Sequence, residues 1–293
     1  MPALLIFIAY FAIALLSGAA ISYPLYLLLT NWFELDFDRV ASRSVLLIAI
    51  ILFIVLYKRL GFSSWQAIGY RSDKNQFLKD LTKGIGFGLL IMLPVIVGLL
   101  ITQNRTVDTG WEVSFINVLG LILTALISGL IIGFLEETLF RGAMLSAVKK
   151  HSSTIFAVVA TSLFYALVHF IQPDIELKAD SLHWSSGFVL LKNAFAGFAN
   201  FSGIADSFIA LCLAGALLAI VRLKTNNIAL CIGIHAGWVI VIKVFKRVTD
   251  SNPNSEYAFL TGNYDKVIGY LAAICITVFI TLTLTLLQKN DRQ

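Results

Sequence analysis

Eight long apolar runs, most near the roughly 20 residues that cross a hydrocarbon core, constrain this chain more than any other feature. They cover residues 3–29, 40–57, 85–102, 116 to about 148, 152–170, 203–221, 227–245 and 267–287. In hydrocarbon a backbone must satisfy its own hydrogen bonds, and for runs of this length the helix does so. The expected fold is all-α, a polytopic transmembrane helix bundle of about eight spans. Hydrophobic residues make up 58% of the 293 and charged residues 13%, where a soluble domain carries about 45–50% and about 25%. That excludes an ordinary soluble enzyme, a disordered chain and a disulfide scaffold.

The net charge is +5, but the basic residues sit between apolar runs, as cytoplasmic loops require. No basic stripe interleaved with aromatics appears, so nucleic acid is not an expected partner. An even span count puts both ends on one side. With the N-terminus inside, six Lys or Arg fall in residues 58–84, three in 141–150, two in 222–226 and two in the tail. This bias predicts N-in and C-in. The first run lacks a preceding Lys or Arg and is too long for a signal peptide's apolar region, so it is expected to be a retained span. Cys212, Cys231 and Cys275 are widely spaced in apolar stretches and are expected to pack rather than to react.

Residues 1–293 are expected to form a single membrane domain. Residues 187–201, apolar but broken by Lys192, Asn193 and Asn200, are expected to be interfacial or re-entrant. Residues 58–83, with Trp65, Phe77 and Leu81 among basic residues, are expected to form an amphipathic interfacial helix that anchors to the membrane. Pro94 is expected to kink the third span. Gly84, Gly86 and Gly88 offer a face of small residues for close helix packing.

Glu136, Glu137 and Arg141 interrupt the fourth run. If its helix continues to Lys150, Glu136 lies roughly 21 Å from that end. A charge at such depth costs about 2.5–3.5 kcal/mol on insertion scales and marks an interior functional site. Glu137 and Arg141 are spaced i, i+4 with the acid first, the favourable order for an ion pair. Glu136 points about 100° away around the helix, so it is not that arginine's natural partner. A carboxylate held among apolar groups suits general-base chemistry near neutral pH. His169 ends the next run, at a depth within about one turn of Glu136 in a tight antiparallel hairpin, and Tyr165 precedes it by one turn. His235 lies in the seventh run between Gly233 and Gly237, which allow another backbone to approach. Glu136, a Glu137–Arg141 pair, His169 and His235 can therefore converge in one bundle.

These residues resemble the motifs of the CAAX protease and bacteriocin-processing (CPBP, or ABI) family of intramembrane proteases, which includes CAAX prenyl protease 2 and lysostaphin resistance protein A-like proteins. The first motif, EExxxR, is matched by Glu136, Glu137 and Arg141 and is followed by Gly142. The second, FxxxH, aligns with Tyr165 and His169, with Tyr in place of Phe. The third, HxxxN or HxxxD, aligns with His235 and Val239, so its polar last residue is missing. The resemblance covers about residues 116–245, the expected catalytic core.

The resemblance implies an intramembrane endopeptidase in which Glu136 and His169 activate water. His235 would orient that water or stabilise the oxyanion, and Glu137, Arg141 and Tyr165 would support the site. It also implies a peptide or membrane-protein substrate in contact with lipid, in an integral multi-pass protein of, by its compactness, a bacterial plasma membrane. Bacteriocin self-immunity is a role found among such relatives. No cofactor is favoured, although Glu136, His169 and His235 would also suit Zn²⁺ with a water as fourth ligand. Two alternatives stand beside the protease. One is a catalytically weak or inactive immunity or binding protein on the same scaffold, motivated by Val239. The other, disfavoured by the lack of an internal repeat, is a proton-coupled transporter.

Overall fold

The computed structural model describes residues 2–111 and 113–290. Arg292, one of the two basic residues counted in the tail, lies outside them. All eight apolar runs are helical. In chain order, α1 is Pro2–Leu29, α2 Phe37–Arg59, α3 Lys74–Ile101 and α4 Phe115–Glu137. A π-helical turn, Thr138–Met144, carries the chain into α5, Leu145–Lys149. Then follow α6 Thr154–His169, α7 Ser186–Ala194, α8 Ala205–Thr225, α9 Ile228–Val248 and α10 Tyr270–Asn290. Six helical stretches are long and apolar enough to span a membrane, among them the 35-residue Phe115–Lys149, while Thr154–His169 and Tyr270–Thr285 are shorter apolar helices.

Two expectations about local structure are refined and one is corrected. Residues 58–83 do not form one amphipathic helix. α2 stops at Arg59, Gly61 follows at φ 71°, and a single 3₁₀ turn, Trp65–Ile68, is closed by Gly69 at φ 99°. Left-handed backbone at two glycines ends a helix wherever it occurs, so periodic apolar residues could not prevail there. The Asp73 side chain then accepts from the Asn75 and Gln76 amides and starts α3 eleven residues before the apolar run begins. α3 runs on through Pro94. Residues 187–201 divide into α7 and a 3₁₀ segment, Ala196–Gly203, broken at Asn200.

The chain divides into two compact units. The first comprises residues 1–63, 150–152 and 167–201, and the second the remainder. In the first, α1 packs on α2 and α7. Gly18 meets the backbone of Val45, and Gly187 the carbonyl of Ala19. Tyr10 donates to the Ala49 carbonyl at 2.6 Å, which satisfies a hydroxyl that burial would otherwise penalise.

The second unit is built around α9, which has its most extensive contacts with α3 and α4. The small-residue face expected at Gly84–Gly88 meets its counterpart on α9. A Cβ on Gly233 would stand 2.8 Å from the Gly84 Cα, and one on Gly237 would stand 2.9 Å from the Gly88 Cα. Across α9, a Cβ on Gly129 would lie 2.8 Å from the Ala236 carbonyl oxygen and one on Gly133 2.9 Å from that of Ile232. Lipid tails are as apolar as leucine, so such backbone-to-backbone packing, rather than apolar burial, draws helices together in a bilayer. The other side of α9 joins α3, α8 and α10 in an apolar cluster that includes Val95, Leu99, Leu217, Leu218 and Val267.

A two-stranded antiparallel tie, β1 (Arg105–Val107) with β2 (Thr249–Ser251), joins the chain just after α3 to the chain just after α9. Arg105 is buried there. Its Nε donates to Thr249 Oγ1 at 2.7 Å and its Nη2 to the Thr249 carbonyl at 2.5 Å, and it lies over the Phe245 ring. Burial lowers the Arg105 pKa from its ordinary value, with Asp250 and Asp265 opposing that shift.

Candidate active site

The first motif occupies the place where helical winding changes. Glu136 and Glu137 close α4, and Arg141 and Gly142 lie within the π turn. Such turns add a residue to one helical winding and occur often at functional sites. Neighbours in the second unit pin this one. Tyr70 and Thr138 share a hydroxyl–hydroxyl bond of 2.5 Å, and Thr138 also donates to the Phe134 carbonyl. Gly142 is close-packed, since a Cβ there would meet the Ile68 carbonyl oxygen at 3.3 Å. Burial pushes the Tyr70 phenol up to about 12, the Thr138 bond pulls it down, and the nearby Glu137 charge adds to the rise.

Glu137 is fully buried, and two groups converge on one of its oxygens. Arg141 Nη1 donates to Oε1 at 3.1 Å, and His235 Nδ1 lies 2.8 Å from the same atom. The expected i, i+4 ion pair is present. The second partner was not anticipated from the sequence. A carboxylate can only accept, so Nδ1 is the protonated nitrogen of His235, and Nε2 is turned the other way. Nε2 lies 3.9 Å from Glu136 Oε2. Glu136 is the more open of the two acids, with 29% of its side chain exposed against none for Glu137. The chain thus runs Arg141, Glu137, His235, Glu136, from a fully buried charge towards a partly exposed side chain. Buried ionic groups are tolerable when they are mutually paired in this way.

Tyr165 of α6 completes the enclosure. Arg141 Cζ stands 4.1 Å from the centre of its ring. Phe140 meets the same ring edge-on at 5.2 Å, and His235 does so at 6.5 Å. Trp238 is one turn along α9 from His235, with ring centres 6.4 Å apart. Among the described residues, the buried atoms Glu137 Oε2, Arg141 Nη2 and Trp238 Nε1 meet no hydrogen-bond partner. Buried polar atoms of this kind call for water or a ligand.

The second unit therefore brings together Glu136, Glu137, Arg141, Tyr165 and His235. His169 is the last residue of α6 and is counted in the first unit. Tyr70, Thr138 and Trp238 were not singled out from the sequence. Tyr70 reaches the site through a contact between distant segments, whereas Thr138 directly follows Glu137 and Trp238 is one turn from His235, positions that the spacing could have flagged. Among the described residues no three His, Cys, Asp or Glu side chains are gathered as ligands for a metal ion.

A family model described as type II CAAX prenyl endopeptidase Rce1-like matches residues 118–241. That segment is Rce1-like. The resemblance drawn from three short motifs is borne out, and the matched residues include Glu136, Glu137, Arg141, Tyr165, His169 and His235. No curated protein and no solved structure matches the chain. The Rce1-like match and the six long apolar helices make this an integral membrane protein. At family level the Rce1-like assignment is to endopeptidases, whose substrates are peptides or proteins.

Proposed function

We propose that the chain is an intramembrane endopeptidase that hydrolyses a peptide bond of a membrane-associated protein or peptide. The observation that carries this reading is the Arg141–Glu137–His235–Glu136 chain, in which a buried acid orients an imidazole towards a second, partly exposed acid. A water within about 2.8 Å of both Glu136 Oε2 and His235 Nε2 would have an acceptor for its proton on either side. Glu136 is the base that takes the proton as the water oxygen bonds to the carbonyl carbon. His235, fixed by Glu137, positions that water. His169 acts as the second imidazole of the reaction, by the family resemblance.

The mechanism we favour uses no metal. The Arg141 charge already neutralises Glu137, and His235 Nδ1 is committed to the same carboxylate. In a detergent- or lipid-reconstituted peptide-cleavage assay, Glu136→Gln is expected to reduce turnover by about 10²–10⁴ without changing the melting midpoint. Chelation should leave the wild type active. Undiminished cleavage by Glu136→Gln would remove Glu136 from the reaction. Stoichiometric zinc lost together with activity would move the chemistry to a metal.

Val239 favours one second reading, a binding or immunity protein with weak or no turnover. In that case wild type and Glu136→Gln would protect cells equally. The name of the family does not fix the substrate, and a prenyl group is not required by any residue at this site.

A further inference from the structure

We infer that the seam between α4 and α9 holds the phosphate of an anionic phospholipid headgroup, at a second site remote from the acid–imidazole chain. A cavity of about 490 Å³ lies there, lined by Trp111, Asn117, Gly120 and Thr124 on the α4 side and by Arg247 on α9. A side-chain carbon added at Gly120 would meet nothing within 4 Å, so the space reaches the helix surface. Arg247 is twelve residues beyond His235 and Thr124 twelve before Glu136, about 18 Å along either helix. Lys243 and Arg247 are spaced i, i+4 on α9, and both are exposed. Lys243 Nζ donates to Ser128 Oγ at 2.7 Å, one turn along α4 from Thr124, and its ammonium keeps two further protons to donate.

Among the described residues neither Lys243 nor Arg247 forms an ion pair. Asp108, beside the cavity, turns Oδ1 to the Gly110 amide at 2.8 Å. Two cations without acids favour an anion between them. A guanidinium grips phosphate oxygens through paired donors, and an ammonium adds a point charge. The level of the cavity argues for a lipid as the source of that phosphate. It lies where α4 begins at Phe115 and α9 ends at Val248. Near the ends of spans, Lys and Arg extend to the headgroups and Trp sits in the same layer. Leu119, Leu123 and Ile127 form an exposed apolar ridge on α4 beside the cavity, against which acyl chains can lie. Free phosphate would meet the cations but leave that ridge unused. Basic pockets between spanning helices are suited to anionic headgroups.

The full chain, purified in detergent, would be titrated with phosphatidylglycerol, phosphatidylcholine or inorganic phosphate, with binding read by native mass spectrometry and a melting midpoint taken in each. Wild type should retain phosphatidylglycerol and melt higher with it than with phosphatidylcholine. Lys243→Gln combined with Arg247→Gln should weaken phosphatidylglycerol binding about tenfold or more. Lys79→Gln combined with Lys83→Gln removes as much charge from exposed positions of α3 and should match wild type. The inference is overturned if wild type binds both lipids alike, if the two double variants behave alike, or if inorganic phosphate raises the midpoint as phosphatidylglycerol does. If the first double variant does not fold, Arg247→Gln alone decides, and wild-type affinity in that variant overturns the inference. None of these readouts requires cleavage, so the result stands apart from the hydrolytic reading.

Discussion

Two adjacent acids differ in what their loss should do. Glu137 is sealed from solvent and holds both Arg141 and His235, so Glu137→Ala would strand a buried guanidinium. Breaking a buried pair by removing one partner costs about 3–5 kcal/mol, and denaturant unfolding of the purified variant should show it. Glu136 is partly exposed, and Glu136→Gln should leave that unfolding curve in place while abolishing cleavage. The difference was half legible in the sequence. Spacing assigned Glu137 to Arg141, because i, i+4 geometry is local. The bond from His235 to Glu137 spans 98 positions and depends on how α9 packs against α4, so no local pattern could reveal it. His235 itself stood out as a polar residue between two glycines in an apolar run and as the start of the third motif, but not by its partner.

At the scale of elements, two devices place these side chains. The first is the glycine face between α3 and α9. Its spacing was legible in Gly84 and Gly88, and in the pair Gly233 and Gly237 around His235. Gly88→Ala would force a methyl against the Ile234 carbonyl and the Gly237 Cα. Overpacking of this kind costs about 1–3 kcal/mol, and it should lower both the melting midpoint and turnover although position 88 bears no polar group. The second device is the π turn after Glu137. Residues 116–150 read as one continuous apolar helix because hydrophobicity scarcely distinguishes i→i+4 from i→i+5 winding. Tyr70, which pins that turn through Thr138, lies in the segment misjudged as an interfacial helix. Tyr70→Phe removes a buried hydroxyl bond worth about 1 kcal/mol. Its expected result is a modest fall in stability with a clear fall in kcat.

For the molecule as a whole, the apolar runs were legible because a bilayer imposes one demand, a span of internally bonded backbone, on every stretch. The β1–β2 tie was not, since three-residue strands carry no usable periodicity. Arg105, like Arg141 and Arg222, departs from the outward placement of basic residues: it is buried and bonded to the backbone and hydroxyl of Thr249. Arg105→Ala would leave those acceptors without donors and should destabilise by about 1–3 kcal/mol, read as a lower midpoint. The proposed N-in orientation makes a directional prediction. Single cysteines in residues 30–36 and in residues 60–73 should react with a membrane-impermeant thiol reagent from opposite sides, the first set from outside.

The close seating of α9 has a mechanical consequence. Glycine contacts hold it on one flank against α3 and on another against α4, with main chain on main chain and no flexible side chain between. A joint without such cushioning cannot slide gradually. The imidazole carried by this helix is therefore mounted on close-packed main chain on two flanks. Amide hydrogen exchange would register this as a lag, with the central amides of α9 among the last to exchange and those of the connecting loops among the first.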